Sequence, residues 1–560
     1  MSRLLKSILV FIISTLYTTS LSGQGLDQKI DEAFMPVAIW WENLIFSGVE
    51  IAGVSIPIVL LLLLTGATFF TIYFKVVNIR LFPTSIKVIR GKYDDVERLE
   101  SAPIPDDINM MDGDLVDTIK DEGHHGEVNH FQALATAVSG TVGLGNIAMV
   151  AVAISLGGPG ATFWMIIAGL LGMSSKFVEC TLGVRYRDIT DDGKVHGGPM
   201  YYLSRGLKER GFPGLGKALA VSFAVLCIGA SFGGGNAFQS NQAGAQIVER
   251  FGMSGSASGT MLGVVFAILV GIVIIGGIKR IAKVTEKIVP FMAVLYVAAA
   301  IFIITTNMQY VDDAFDLIIS EAFSPRATIT GGFIGVMIQG FRRAAFSNEA
   351  GAGSAAIAHS AVITKYPASE GLVGLLEPFI DTVLICTMTA LVIIIFNIEG
   401  AFAYGNVVND QVLMVATGER VGGVNLTSMA FESAIPGSSY VLAIAVILFA
   451  FSTMLSWSYY GLQSWKYLFG RSQVADLSYK ILFLMFTVLG AAITMEAVIK
   501  FSDAMILALV FPNMIGLFFL FPYVREELEK YLEVIRRDWR DLPACSTSDR
   551  QVGEVGEIGD

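Results

Sequence analysis

Residues Ser139-Gly140-Thr141-Val142-Gly143-Leu144-Gly145-Asn146 place hydroxyls, a side-chain amide and three glycines within one short stretch of an otherwise apolar run. Glycine costs about 0.8–1 kcal/mol per residue against alanine in a helix interior, so the stretch predicts an interrupted helix. Inside a bilayer, freed peptide N–H and C=O groups must find partners other than lipid. The chemistry such a break offers is coordination: amides at a half-helix start for an anionic group, carbonyls at a half-helix end for a cation. No nucleophile with its base, no intramembrane His-x-x-x-His and no zinc-ligand spacing accompanies it, which argues against an enzyme. An asymmetric break also fits a bound solute better than the symmetric pore of a channel.

A second glycine-rich stretch, Gly331-Gly332, Gly335 and Gln339-Gly340-Phe341-Arg342-Arg343-Ala344, predicts another interruption with Phe341 inside it. Arg342 and Arg343 would each cost at least about 2.5 kcal/mol facing lipid, so they are expected in the interior or an aqueous vestibule. Glu179, Glu349, Glu377 and Asp381 also fall in apolar surroundings, and structural or gating ion pairs among these groups are expected. The central spans are read as containing no histidine, which disfavours a histidine-based proton path.

The elements holding these residues follow from composition. The chain has 560 residues, 54% hydrophobic and 16% charged, with a mean hydropathy of +0.63, as in an all-α polytopic membrane protein. A net charge of −11 without a polybasic block excludes nucleic acid as a partner. Arg3 and Lys6, the apolar run from Ile8 to Tyr17 and the small residues Ser20, Ser22 and Gly23 read as a cleaved signal peptide over 1–23, with an uncleaved anchor as the alternative. Cys180, Cys227, Cys386 and Cys545 form no disulfide framework.

Span-length segments then divide the chain. An extracytoplasmic amphipathic segment (24–50) precedes an extra transmembrane helix (51–74) and a cytoplasmic loop with an acidic insertion (75–130). Ten further spans follow, in 131–306 and 329–523, separated by an external loop (307–328) and followed by a cytoplasmic tail (524–560). That tail reads as a surface helix and then a disordered end. Lys75, Arg80 and Lys87, then Arg185, Arg187 and Arg205, then Lys279, Arg280 and Lys283 mark alternate connections as cytoplasmic. The mature N-terminus is therefore expected outside and the C-terminus inside. His124, His125 and His130 beside Glu122 and Glu127, and the Asp112-Gly113-Asp114 run, lack metal-ligand spacing and read as solvated loop.

Ten helices divide into two blocks of five. Because five is odd, consecutive blocks must lie inverted in the membrane, and each opens with one of the two interrupted helices. Paired broken helices in corresponding positions are the sequence mark of an inverted-repeat transporter with its site at the midplane.

The run Gly157-Gly158-Pro159-Gly160-Ala161-Thr162-Phe163-Trp164-Met165 through Gly172 resembles the signature of the alanine or glycine:cation symporter family. Ser139 to Asn146, Gly197 to Tyr202, Asn236 through Gln239 to Asn241, Phe346 to Gly351 and Phe449 to Gly461 are similar to further blocks of it, over roughly residues 50–525. The resemblance implies a 5+5 leucine-transporter-like core with discontinuous first and sixth core helices. It also implies sodium-coupled import of small neutral amino acids across the cytoplasmic (inner) membrane, with Na⁺ as coupling ion and no organic cofactor.

By the same resemblance, amides of Leu144 and Gly145 would take the substrate carboxylate. Carbonyls of Ser139, Val142 and Phe449 with the hydroxyls of Ser452 and Thr453 would hold Na⁺, a hard cation suited to oxygen ligands. Asn146 and Gln239 are candidates for the ammonium group, since an amide oxygen accepts its protons without carrying charge. Thr453, Trp457 one helical turn later, and Phe341 would wall the pocket. Another small solute, or proton coupling on the same scaffold, is the alternative. The sequence sets no oligomeric state.

Overall fold

Residues 26–51, 53–94, 97, 126–190, 193–253, 257–324 and 331–541 are described by the computed structural model. The signal-like start, the acidic insertion with Asp112 to Asp114, Glu122, His124 and His125, and Cys545 lie outside the described residues.

Helices dominate. Among the described residues seven are long and apolar enough to cross a bilayer, and the bent pair His130–Thr141 plus Leu144–Gly157 makes an eighth. Two shorter apolar helices, Ile58–Tyr73 and Ser258–Ile274, and the segment opened by Gly332–Asn348 occupy the other stretches expected as spans. Local chemistry sets several boundaries. Asn129 and Gln132 form a reciprocal capping box at the start of His130–Thr141, satisfying donors that a helix start leaves open. At the other end, Gly158 takes φ 67° and Pro159 starts the next helix, Gly160–Arg185, so the Gly-Gly-Pro-Gly run is a turnaround between two spans. Close approach then depends on missing side chains, as expected where small residues let membrane helices meet. A Cβ on Gly340 would stand 2.5 Å from the Trp164 Cβ and 2.6 Å from the Ala161 carbonyl oxygen.

Several sequence expectations need correction. The extra helix begins at Ile58, not at residue 51, because Gly48–Ile51 and Val54–Pro57 pair as an antiparallel hairpin. The stretch read as external loop 307–328 contains the helix Val311–Phe323. Two short helices, Val77–Arg80 and Phe82–Ile89, occupy the start of the connection at 75–130. The stretch read as a surface helix from Arg525 continues the preceding span: Val510–Asp541 is one helix running through Pro522. Leu528, Tyr531 and Ile535 are buried on it, and the Tyr531 hydroxyl donates to Glu97 Oε1 at 3.1 Å. Before the helix Ser438–Phe469, a three-stranded ribbon of Phe402–Val408, Gln411–Met414 and Arg420–Gly422 leads into the helix Gly423–Ala434.

Two further irregularities were not anticipated. Gly233–Ala237 and Phe379–Cys386 are wound as π-helix, a winding that recurs at functional sites. Both carry residues that meet the first interruption.

Candidate functional site

The first interruption falls where glycine demands it. Thr141 ends one half-helix, Gly143 is extended (φ −133°, ψ −152°), Leu144–Asn146 form a single 3₁₀ turn, and the two halves diverge by 53°. The freed amides are capped by side chains. Gly143 N–H donates to Asn146 Oδ1 at 2.9 Å and Leu144 N–H to Gln239 Oε1 at 3.0 Å. Gln239 in turn donates to the Gly234 carbonyl at 2.9 Å, inside the first π segment. Asn146 Nδ2 donates to Asp381 Oδ1 at 2.6 Å and to the Asp381 carbonyl at 3.1 Å, inside the second. No room remains for a side chain at Gly143, where a Cβ would stand 2.5 Å from Thr453 Oγ1 and 3.2 Å from Gln239 Oε1.

Helix Ser438–Phe469 is laced to this break along one face. The Ser139 hydroxyl donates to the Ser452 carbonyl at 2.7 Å, the Thr453 hydroxyl to the Ser139 carbonyl at 2.9 Å, and the Ser456 hydroxyl to the Thr136 carbonyl at 2.8 Å. The Ser452 hydroxyl also donates to the Phe449 carbonyl at 3.1 Å. Hydroxyls and carbonyls of four residues, Ser139, Phe449, Ser452 and Thr453, are thus linked just before the half-helix ends at Thr141, with Val142 as its cap. All of these residues are buried. Trp457 Nε1 donates to the Gly140 carbonyl at 3.2 Å and to Glu349 Oε1 at 3.1 Å.

Glu349 marks the second interruption, which lies downstream of where the glycines suggested. Gly332–Asn348 is unbroken through Phe341. The chain leaves the helix at Glu349 (φ 54°), Gly351 (φ 94°) and Gly353 (φ 84°) before the short helix Ala356–His359. A left-handed glutamate is uncommon and here it is held: Ser354 donates to Glu349 Oε2 and Trp457 to Oε1. Asn513 Nδ2 bonds the Gly351 carbonyl at 2.8 Å.

Leu144, Asn146, Gln239, Thr453 and Trp457 are therefore brought together around the first break. Phe341 is not among them, for its ring packs 6.0 Å from that of Trp164. The ring beside Gly145 is Phe346, whose Cδ1 would stand 3.4 Å from a Cβ at that glycine. It also meets Phe238 edge-on at 5.4 Å. Phe346 and Glu349 belong to a block matched only by resemblance; a charged residue in an apolar run was the signal for Glu349, and Phe346 carried none of its own.

The buried charges also pair differently from expectation. Arg342 and Arg343 both reach Asp503 Oδ2 at 2.8 Å, and Arg342 also reaches Glu42 at 3.1 Å. Burial opposes the Glu42 charge, but the Lys500 hydrogen bond and the Arg342 guanidinium hold its carboxyl below the ordinary value. Lys176, overlooked in the sequence, pairs with Glu377 at 3.2 Å. Histidine is present in the core after all: His359 is fully buried and bonds Glu370 at 2.5 Å. His130, read as loop, begins the first half-helix and joins Glu370 to Glu97, the latter at 2.9 Å.

Residues 107–543 match the family described as the sodium:alanine symporter family. The chain is similar to the sodium/alanine symporter AgcS of Methanococcus maripaludis, 36% identical over 86% of this chain and 96% of that one. It is also similar to the probable sodium/glutamine symporter GlnT of Bacillus subtilis, 35% identical over 72% of this chain and 78% of that one. Among solved structures it is similar to MhsT in complex with L-phenylalanine, at 14% identity, covering 72% of this chain and 100% of that one with a TM-score of 0.43.

Proposed function

The chain belongs to the sodium:alanine symporter family, and from that premise we propose that it imports alanine or glycine together with Na⁺ across the cytoplasmic membrane by alternating access. The core is read as two inverted five-helix repeats with the mature N-terminus outside and the C-terminus in the cytoplasm. No covalent step is assigned, and Na⁺ is cargo rather than a resident cofactor.

The observation that carries this reading is the reciprocal bonding of Ser139 with Ser452 and Thr453 directly against the broken helix. Oxygens from Ser139, Val142, Phe449, Ser452 and Thr453 form a donor set without nitrogen or sulfur, which suits a hard monovalent cation. The substrate carboxylate takes the Leu144 and Gly145 amides, displacing Gln239 from the Leu144 N–H. Gln239 then turns its oxygen to the ammonium. Asn146 contributes as well, because an amide oxygen has two lone pairs and Gly143 uses one. Phe346, in place of Phe341, walls the side next to Gly145. A Cβ at Gly143, Gly234 or Gly235 would already overlap Thr453, Ile506 or Trp457, crowding that favours a substrate with a small side chain or none.

Uptake of radiolabelled alanine into proteoliposomes tests the proposal. An inward Na⁺ gradient is expected to drive accumulation, with glycine competing and glutamine not. Accumulation indifferent to Na⁺ but driven by a pH gradient would replace Na⁺ by H⁺ as the coupling ion.

A further inference from the structure

Directly after helix Ile58–Tyr73 the backbone takes two consecutive left-handed residues, Lys75 (φ 54°) and Val76 (φ 55°). For a β-branched residue this is a rare and strained conformation. Its effect is to fold the chain back so that Lys75 and Arg80 share a cavity of about 590 Å³ with Arg525, Glu529, Glu533 and Arg536 of the last helix. Four cations thus face two carboxylates. Arg525 is engaged by Glu529 at 2.8 Å, whereas Lys75, Arg80 and Arg536 have no carboxylate partner among the described residues.

The floor of the cavity is apolar, with Phe74 and Leu528 buried beneath the charges. The chain neighbours of the lining residues Tyr73 and Arg80 are apolar and exposed: Ile72 is 71% exposed and Ile79 68% exposed, side chains suited to lipid rather than water. Tyr73 packs edge-on against Phe521 at 4.6 Å and stacks on Phe69 at 5.8 Å, an aromatic group of the kind found at membrane boundaries. Lys75 and Arg80 also belong to a basic connection of the cytoplasmic type.

We propose that this cavity binds the phosphodiester head group of an anionic membrane phospholipid, with the phosphate among Lys75, Arg80 and Arg536 and the acyl chains along Ile72 and Ile79. Basic pockets between spans on the cytoplasmic side recognise such head groups. A free phosphate would satisfy the same cations, but it has no use for the exposed isoleucines. The site is remote in sequence from the transport residues and stands whether or not the transport reading holds.

The test uses the purified full-length chain in detergent, with native mass spectrometry and thermal unfolding in phosphatidylglycerol, phosphatidylcholine or inorganic phosphate. Phosphatidylglycerol is expected to stay bound and to raise the melting temperature, with phosphatidylcholine and phosphate inert. Each of Arg80→Gln and Arg536→Gln is expected to weaken phosphatidylglycerol binding about fivefold without moving the lipid-free melting temperature. Should either variant melt early, the preference of the unaltered chain for phosphatidylglycerol over phosphatidylcholine decides. Equal retention of the two lipids, undiminished binding by well-folded variants, or protection by phosphate alone would overturn the assignment.

Discussion

The Thr453 hydroxyl donates to the Ser139 carbonyl at 2.9 Å, across a separation of more than half the chain. That oxygen pair sits where an interrupted helix meets an uninterrupted one, and the proposed ion bridges the two. Thr453→Ala deletes one ligand and one buried hydrogen bond, the latter worth about 0.5–1.5 kcal/mol. The half-saturating Na⁺ concentration for alanine uptake is expected to rise at least about tenfold, the equivalent of about 1.4 kcal/mol. A sodium curve superimposable on that of the unaltered protein would remove Thr453 from the ion site.

Gly235 lies under the Trp457 ring, and a Cβ there would stand 2.1 Å from the ring. Gly235→Ala must push the indole away from Gly140 and Glu349. Overpacking of this kind costs about 1–3 kcal/mol, so a lower melting temperature together with lost alanine uptake is expected. Full uptake by a normally stable variant would show that the ring can move freely.

Lys176 and Glu377 are both fully buried, and Glu179 and Glu349 also act on the lysine. Removing one member of such a pair costs about 3–5 kcal/mol, more than replacing both by apolar residues. Lys176→Met is expected to unfold readily in detergent, and Lys176→Met with Glu377→Leu to recover much of the loss. A double variant no better than the single one would count against direct pairing.

Outside the spans, Glu432 caps helix Ser438–Phe469, the helix bearing Thr453 and Trp457. The Ser439 hydroxyl close by and the amides of Gly437 (2.8 Å) and Ser439 (3.0 Å) that donate to it hold the carboxyl down at about 2, from 4.5. A carboxylate depressed on folding stabilises the fold fully above its unfolded pKa, and that contribution disappears as pH falls through its folded value. The melting-temperature gap between the unaltered protein and Glu432→Gln should therefore be constant above pH 5 and close between about pH 4.5 and 2. A gap independent of pH would show that the charge plays no part.

Features governed by one residue's own backbone were legible in advance. Gly143 announced itself because glycine acts on φ locally, and the membrane class followed from composition. The second interruption was misplaced because its first left-handed residue is Glu349, a type that gives no local warning, while the glycines upstream serve helix contact: Gly340 touches Trp164. The π segment at 379–386 lacks a sequence marker, whereas the one at 233–237 carries Gly233-Gly234-Gly235, a helix-weakening triplet that reads in sequence only as part of a span. Pairings such as Arg343 with Asp503 or His130 with Glu370 join residues far apart in the chain, so charge alone named the participants without matching them. Phe341 was favoured over Phe346 only because the break was drawn one stretch too early.

One indole hydrogen, on Trp457, is divided between an acceptor on each of the two interrupted helices. A lone donor cannot serve both at full strength, so whichever helix draws closer does so at the other's expense. Movement at one discontinuity is thereby registered at the other through a single rigid ring, without any linkage along the backbone.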